Sequence, residues 1–176
     1  SRAKSRLMLA LVAQLEPLLT QIKQYDEEIE RLFLSHADSE LFLSLPGAGV
    51  RLAPRLLAEM GDDRDRYASA SSLQALAGTS PVLYQSGAYQ KAHRRLGCIK
   101  PWRNTLFRFA EQSRRWETWA SEYYQRKRTE GKSHTVAVRA LANSWARILF
   151  AIWKTRELYC TATFEAAQRA HALRVA

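Results

Sequence analysis

Met8, Leu11, Leu15, Leu18, Ile22, Tyr25, Ile29 and Leu32 recur at alternating intervals of three and four residues. A heptad seam of this kind runs along one side of an α-helix; a strand, whose faces alternate at every second residue, cannot hold it. A helix with so narrow an apolar line must bury it against another helix. Residues 1–34 are therefore expected to form a coiled-coil or helical arm, and a second copy of the chain is the expected partner, making a homo-oligomer. Pro17 falls inside the seam. An interior proline costs about 3 kcal/mol, so either the helix kinks there or a second helix opens with Pro17 in its first turn. The acidic run Asp26 to Glu30 reads as a solvated flank.

Residues 35–176 read as a second domain, so the whole chain is expected to be all-α, or mostly so. Ser35 or Asp38 can cap a short helix reaching about Ser44. Leu45-Pro46-Gly47-Ala48-Gly49 makes a tight turn, and a second helix places Val50, Ala53, Leu56, Leu57 and Met60 on one face before Gly61 stops it. This is the pattern of a helix-hairpin-helix. Gly47 and Gly49 would let the backbone approach a phosphate, with the first N–H groups of the second helix facing the anion. Such contacts hold DNA without reading its bases. Asp62, Asp63 and Asp65 follow, interleaved with Arg64 and Arg66; they read as a turn rather than a metal site.

Ser69 or Ser71 opens a short helix that Gly78 closes. Pro81 then forces extended chain, and Val82-Leu83-Tyr84 leads into a Gln85-Ser86-Gly87 turn. Ser86 is thus expected on a loop held between packed elements, where functional residues tend to lie. From Pro101 one long helix is expected as far as Gly131, with Trp102, Leu106, Phe109, Trp116, Tyr123 and Tyr124 on its packed face. Ser133 caps the next helix, whose broad apolar face from Val136 to Trp153 marks it as the central core element. A last amphipathic helix carries Leu158, Tyr159, Phe164 and Leu173.

The charge is one-sided. Residues 1–88 hold nine Lys/Arg against eleven Asp/Glu, while residues 89–176 hold eighteen against six, within a total of +10. The whole excess follows the Gln-Ser-Gly turn and begins with Lys91, His93, Arg94, Arg95, Lys100 and Arg103. A basic half of this kind points to a polyanion, above all nucleic acid. A composition 47% hydrophobic with five tryptophans excludes a disordered chain. No apolar run approaches a membrane span, no signal peptide is evident, and two cysteines are too few for a disulfide framework or a zinc site. The expectation is a cytoplasmic protein with no membrane partner. On local chemistry alone Ser86 is a turn residue with basic neighbours, since no Ser/His/Asp spacing accompanies it.

The order of "LPGAGVRLAPRLLAEMGD", "LQALAGTSPVLYQSG", "KAHRRLG", "LFRFAEQS" and "TVAVRALANSWARILFAIW" resembles the C-terminal transposase domain of the insertion sequence one-ten family, serine transposases of the DEDD type with Piv-type invertases as relatives. The resemblance covers residues 30 to about 155. It implies DNA strand exchange guided by an RNA, with Ser86 as the nucleophile forming a phosphoserine, and a metal-binding RuvC-like domain, where Mg²⁺ is expected, that this chain lacks. No cofactor is expected in the chain, which would be inactive by itself. The segment after Gly87, "AYQKAHRRLG", departs from the glycine-rich text common in relatives. Serine needs a base or a strong local field. For phosphoryl transfer, positioning and charge neutralisation carry most of the catalysis, and Lys91, Arg94 and Arg95 are residue types suited to that. Two other readings use fewer features: a non-catalytic helix-hairpin-helix module for nucleic acid, and a helical dimerisation module.

Overall fold

The computed structural model describes the backbone of residues 2–175 and the side chains of residues 2–170, so Leu173 lies outside the described side chains. The described chain is mostly helical, with eight α-helices and one two-stranded sheet. It divides into two compact units, Ser1–Ala37 and Asp38–Ala176.

The first unit is essentially α1 (Arg2–Leu34), which continues through Pro17 as a single helix rather than two. Proline removes one N–H from the ladder, and the helix carries on past it on either side. Every seam residue from Met8 to Leu32 is about half exposed or more, as are Leu7, Leu9, Val12 and Leu19. In the single chain this apolar surface stays open.

In the second unit, α2 (Ser39–Leu43) and α3 (Gly49–Met60) form a short helical hairpin, followed by α4 (Ala70–Leu76), strands β1 (Val82–Ser86) and β2 (Tyr89–His93), then α5 (Lys100–Ser113), α6 (Thr118–Thr129), α7 (His134–Thr155) and α8 (Thr161–Val175). α7 is the centre, packed on α4, α5 and α6. Trp145 is fully buried on it, edge-on to Phe109 at 4.8 Å and tilted against Trp119 at 4.8 Å. Its indole N–H donates to Ser113 Oγ at 2.7 Å. One turn from the other end, Trp153 is also fully buried and donates to the Gly61 carbonyl at 2.7 Å. α7 is long and apolar enough to cross a membrane. Its apolar face is instead taken up by α4, α5 and α6, as in the core helix of a globular domain.

Several sequence expectations change. The helix expected from Pro101 to Gly131 is two helices, broken at Arg114–Glu117. The buried Ser113 hydroxyl donates to the Ala110 carbonyl (2.9 Å) while accepting Trp145, and Glu117 is extended, buried, and accepts the Thr161 hydroxyl at 3.0 Å. The break throws Trp116 outward, 68% exposed, rather than onto the packed face. Val50 is exposed at the start of α3. Asp38 occupies the N-cap position of α2 without a side-chain cap, because both carboxylate oxygens accept Arg64 Nη2 at 2.6 Å. Ser69 does cap α4, accepting the Ser72 N–H at 3.2 Å. In the last segment Phe164 packs on Trp119 at 4.4 Å and Tyr159 is half-buried, but Leu158 is exposed.

Candidate functional site

Ser86 does not lie in a loop between packed elements. It ends β1, at the tip of an antiparallel hairpin in which Val82 pairs with His93, Leu83 with Ala92, Tyr84 with Lys91, Gln85 with Gln90 and Ser86 with Tyr89. Gly87 and Ala88 make the two-residue turn. Gly87 sits at φ +56° in its first position, the place where such turns favour glycine, and a Cβ there would meet nothing within 4 Å. Residues directly opposite share a face. Tyr84, Ser86, Tyr89, Lys91 and His93 therefore line one side, and Leu83, Gln85, Gln90 and Ala92 the other. Nine of the ten residues in the two strands are exposed, and Leu83, Tyr84 and Tyr89 are each about 60% exposed. A two-stranded hairpin exposed on both sides is marginal by itself in water.

Spacing along the strands decides what can act on Ser86. Lys91 stands diagonally across, about 7–8 Å away between side-chain bases, so its ammonium can reach an anion held at Ser86. His93 lies four strand positions along from Tyr89, about 13 Å, with its ring edge-on to Tyr84 at 4.7 Å. It is too distant to take the Ser86 proton directly.

The base of the hairpin is pinned to the helices. Ile99 N–H donates to the Leu76 carbonyl at 2.8 Å, and Cys98 lies so close to Gly78 that a Cβ there would come within 2.7 Å of its sulfur. Thr79 and Gln74 bond to Asn143 of α7. Around this base stand Arg94, exposed; Arg95, half-buried with its Nε unpartnered; Lys100, in the first turn of α5; and Arg103, whose Nη1 donates to Cys98 Sγ at 3.5 Å. A lysine at a helix N-terminus adds to the positive end of the dipole instead of offsetting it. Arg139 of α7 faces the same region. Burial, and after it the charge of Arg94, holds its guanidinium below its ordinary value. Neither Arg139 nor Asn143 is among the residues expected from sequence. Their spacing of four places them one turn apart on the helix, but Ser144 and Arg147 are polar as well, so the sequence does not single them out.

Gly47 and Gly49 lie elsewhere. Gly47 adopts φ +75°, and a Cβ on it would sit 2.5 Å from Trp116 Cδ1 and 3.2 Å from Gln112 Cγ. Its missing side chain makes room for the indole thrown out at the α5–α6 break. Gly49 opens α3 at φ +53° with nothing within 4 Å, so its backbone remains approachable. The glycine turn contacts the C-terminal end of α5, whereas the hairpin base contacts the N-terminal end. The 14 residues of α5 separate them by about 20 Å. An open groove of about 530 Å³ between α3, α5 and α7, lined by Leu52, Phe107, Arg108, Glu111, His134 and Val138 among others, includes none of the hairpin residues.

Among the described residues no three His, Cys, Asp or Glu side chains converge. Asp63 Oδ1 accepts the Asp65 N–H at 3.0 Å and Asp65 faces Lys154 at 3.7 Å, so the acidic turn is occupied with its own contacts.

Residues 39–125 match the transposase IS116/IS110/IS902 family. The chain is 38% identical to the insertion element IS900 uncharacterized 42 kDa protein of Mycobacterium paratuberculosis, over 89% of this chain and 40% of that protein. It is 35% identical to a mini-circle protein of Streptomyces coelicolor named as a candidate transposase for IS117, over 85% of this chain and 36% of that one. With the insertion element IS116 uncharacterized 44.8 kDa protein of Streptomyces clavuligerus it shares 31% identity, over 90% of this chain and 40% of that protein. The chain thus spans about two fifths of the length of the curated relatives it matches.

Proposed function

The chain carries the C-terminal-type domain of the IS116/IS110/IS902 transposase family, matched over residues 39–125, and on that premise we propose that it holds DNA for strand exchange and supplies Ser86 as the nucleophile. The observation that carries the reading is the placement of Ser86 at the exposed tip of a hairpin, on one face with Tyr89 and Lys91, above a base ringed with arginines.

Ser86 Oγ attacks a DNA phosphorus. The new O–P bond forms as the bond from phosphorus to one strand oxygen breaks, and the serine proton passes by way of solvent to that oxygen, which leaves as the strand's free hydroxyl. The phosphoserine keeps the ester linkage, so a hydroxyl of another strand reverses the step and rejoins DNA without an external energy source. Lys91 neutralises the phosphate oxygens at Ser86, while Arg94, Arg95, Lys100 and Arg103 hold flanking phosphates. Gly47 and Gly49, with the N-terminus of α3, form the helix-hairpin-helix contact with a phosphate about 20 Å away, roughly six base steps along a strand. Of the two glycines, Gly49 has the open backbone this needs. The exposed seam of α1 takes a second copy of the chain as a coiled coil. A guide RNA is a further expected partner. Mg²⁺ has no ligand set among the described residues, so no step here is routed through it.

The test is capture of a covalent protein–DNA adduct in the protein at its relatives' full length. Ser86→Ala is expected to abolish the adduct while leaving DNA binding within about twofold, the small effect expected of an exposed surface change. An adduct that persists in Ser86→Ala moves the nucleophile elsewhere. The absence of a base beside Ser86 favours one alternative, a non-catalytic nucleic-acid module. On that alternative no adduct forms at all, and Arg94→Ala and Arg95→Ala alone change binding.

A further inference from the structure

Asn143 is where the core helix α7 meets the base of the hairpin. Asn143 Oδ1 accepts the Thr79 hydroxyl at 3.0 Å, and the Asn143 carbonyl accepts the Gln74 amide at 2.8 Å. Thr79 lies three residues before β1, and Val82 pairs with His93, so the exit of β2 at Arg94 is fixed beside the same stretch of α7. Arg139 stands one turn before Asn143 on that stripe of the helix and is half-buried. Among the described residues, none of the ion pairs involves Arg94, Arg95 or Arg139. Arg95 Nε is buried without an acceptor. The proton affinity of Arg139 is lowered first by burial and then by the charge of Arg94, a like charge near enough to act on it.

Two neighbouring guanidinium groups without a carboxylate repel each other, and a buried N–H without an acceptor adds to the cost. A shared anion relieves both. Arginine forks suit the oxygens of a phosphodiester, which they grip bidentately. We infer that Arg139 and Arg94 close on one backbone phosphate of DNA, with Arg95 Nε as a further donor, so that α7 contributes half of a phosphate clamp at the hairpin base. This rests on DNA as the ligand of the proposed function, but not on Ser86 as the nucleophile. It would place the phosphate against the rigid core helix, and hence fix the distance from that phosphate to the hairpin tip.

The test measures binding of a short DNA duplex across salt concentration, in a Ser86→Ala background that separates holding DNA from reacting with it. Arg139→Gln is expected to reduce the slope of log K against log salt by about 1, which amounts to about fourfold less affinity lost between about 50 and 200 mM salt. Without DNA, its melting temperature stays level or rises, because a like charge has been removed. Arg94→Gln behaves similarly, and the double variant loses little more than either alone, since both residues hold one phosphate. An unchanged slope in Arg139→Gln overturns the clamp. So does a lowered melting temperature with fully additive binding losses, the mark of an arginine that only supports the fold. Arg139→Lys keeps the charge and the salt slope but is expected to release DNA faster, since an ammonium lacks the fork. A Lys variant with unaltered release also counts against the clamp. Salt-independent binding in every variant would defeat the DNA reading itself, whatever the role of Arg139.

Discussion

The helical body and the hairpin that rises from it satisfy their side chains in opposite ways. In the body, most of the buried indoles find partners inside: Trp145 on Ser113, Trp153 on the Gly61 carbonyl, Trp119 on the Tyr159 hydroxyl at 2.8 Å, with Trp102 Nε1 and Thr105 Oγ1 the exceptions that stay unpaired in the core. In the hairpin, two tyrosines, a leucine, a lysine and a histidine stand in solvent. Glycine shows the same division. Gly47 is a glycine because Trp116 fills the place of its side chain, while Gly87 is one only because its turn needs φ +56°. Side chains that the fold leaves unused are the ones available to a ligand, so the division separates residues selected for stability from residues open to function.

The sharpest way to break the division is to truncate one aromatic on each side. Trp145→Ala empties a fully buried site and leaves the Ser113 hydroxyl without its donor. A loss of about 3–5 kcal/mol is expected, read as a fall in the urea midpoint or as outright failure to fold. Tyr89→Ala removes an exposed ring and is expected to shift stability by no more than about 0.5 kcal/mol, while weakening DNA binding. A Tyr89→Ala loss as large as that of Trp145→Ala would mean that the hairpin is part of the core.

The two glycines sharpen it further. Gly47→Ala must hold a left-handed φ and displace the Trp116 ring from 2.5 Å, so a loss of about 2–3 kcal/mol is expected. Gly87→Ala meets no atoms and bears only the backbone term, about 1–2 kcal/mol. Placing Gly47→Ala in a Trp116→Ala chain should bring its cost down to that of Gly87→Ala. A cost unmoved by removing the indole would show that Trp116 is not what requires glycine at position 47.

Local rules reach some of this structure and stop at identifiable places. The stop at Gly61, the Ser69 cap and the apolar face of α7 depend on residues within a turn or two of each other, and sequence periodicity carries them. The break after Ser113 depends on a hydrogen bond to Trp145, 32 residues later, so the continuous apolar spacing through Trp116 misleads. Asp38 looks like a cap until Arg64, 26 residues on, takes its carboxylate. At the candidate site, the glycine turn and the basic run are visible in the sequence. The strand pairing that turns Ser86, Lys91 and His93 to one side is less so, because apolar and polar residues are mixed on both faces, Leu83 with Gln85 on one and Tyr84 with Ser86 on the other, and no alternation marks a hairpin. Arg139 is invisible for a different reason: the packing of α4 on α7, with the Gln74 and Thr79 bonds to Asn143, brings α7 to the hairpin base across more than sixty residues of sequence.

The smallest expected effect tests whether the body's internal pairing extends to its margin. The Tyr159 phenol is pushed up to about 12, first by burial, with the Glu117 carboxylate acting in the same direction and the bonds to Trp119 and Thr161 partly opposing it. In the unfolded chain it ionises near 10. Below that pH both states hold the proton and the phenol's contribution to stability is complete. Between about 10 and 12 the unfolded state releases its proton first, so stability falls with rising pH. The fall is at most about 1.4 kcal/mol per pH unit, and smaller here because the ring is only half-buried. Tyr159→Phe should flatten this part of the profile relative to the unaltered chain, while lowering stability at neutral pH by about 1 kcal/mol through the lost Trp119 bond. Parallel profiles for the two proteins from pH 9 to pH 11 would mean that the phenol is solvated, and that the closed polar pairing of the body ends at Trp119.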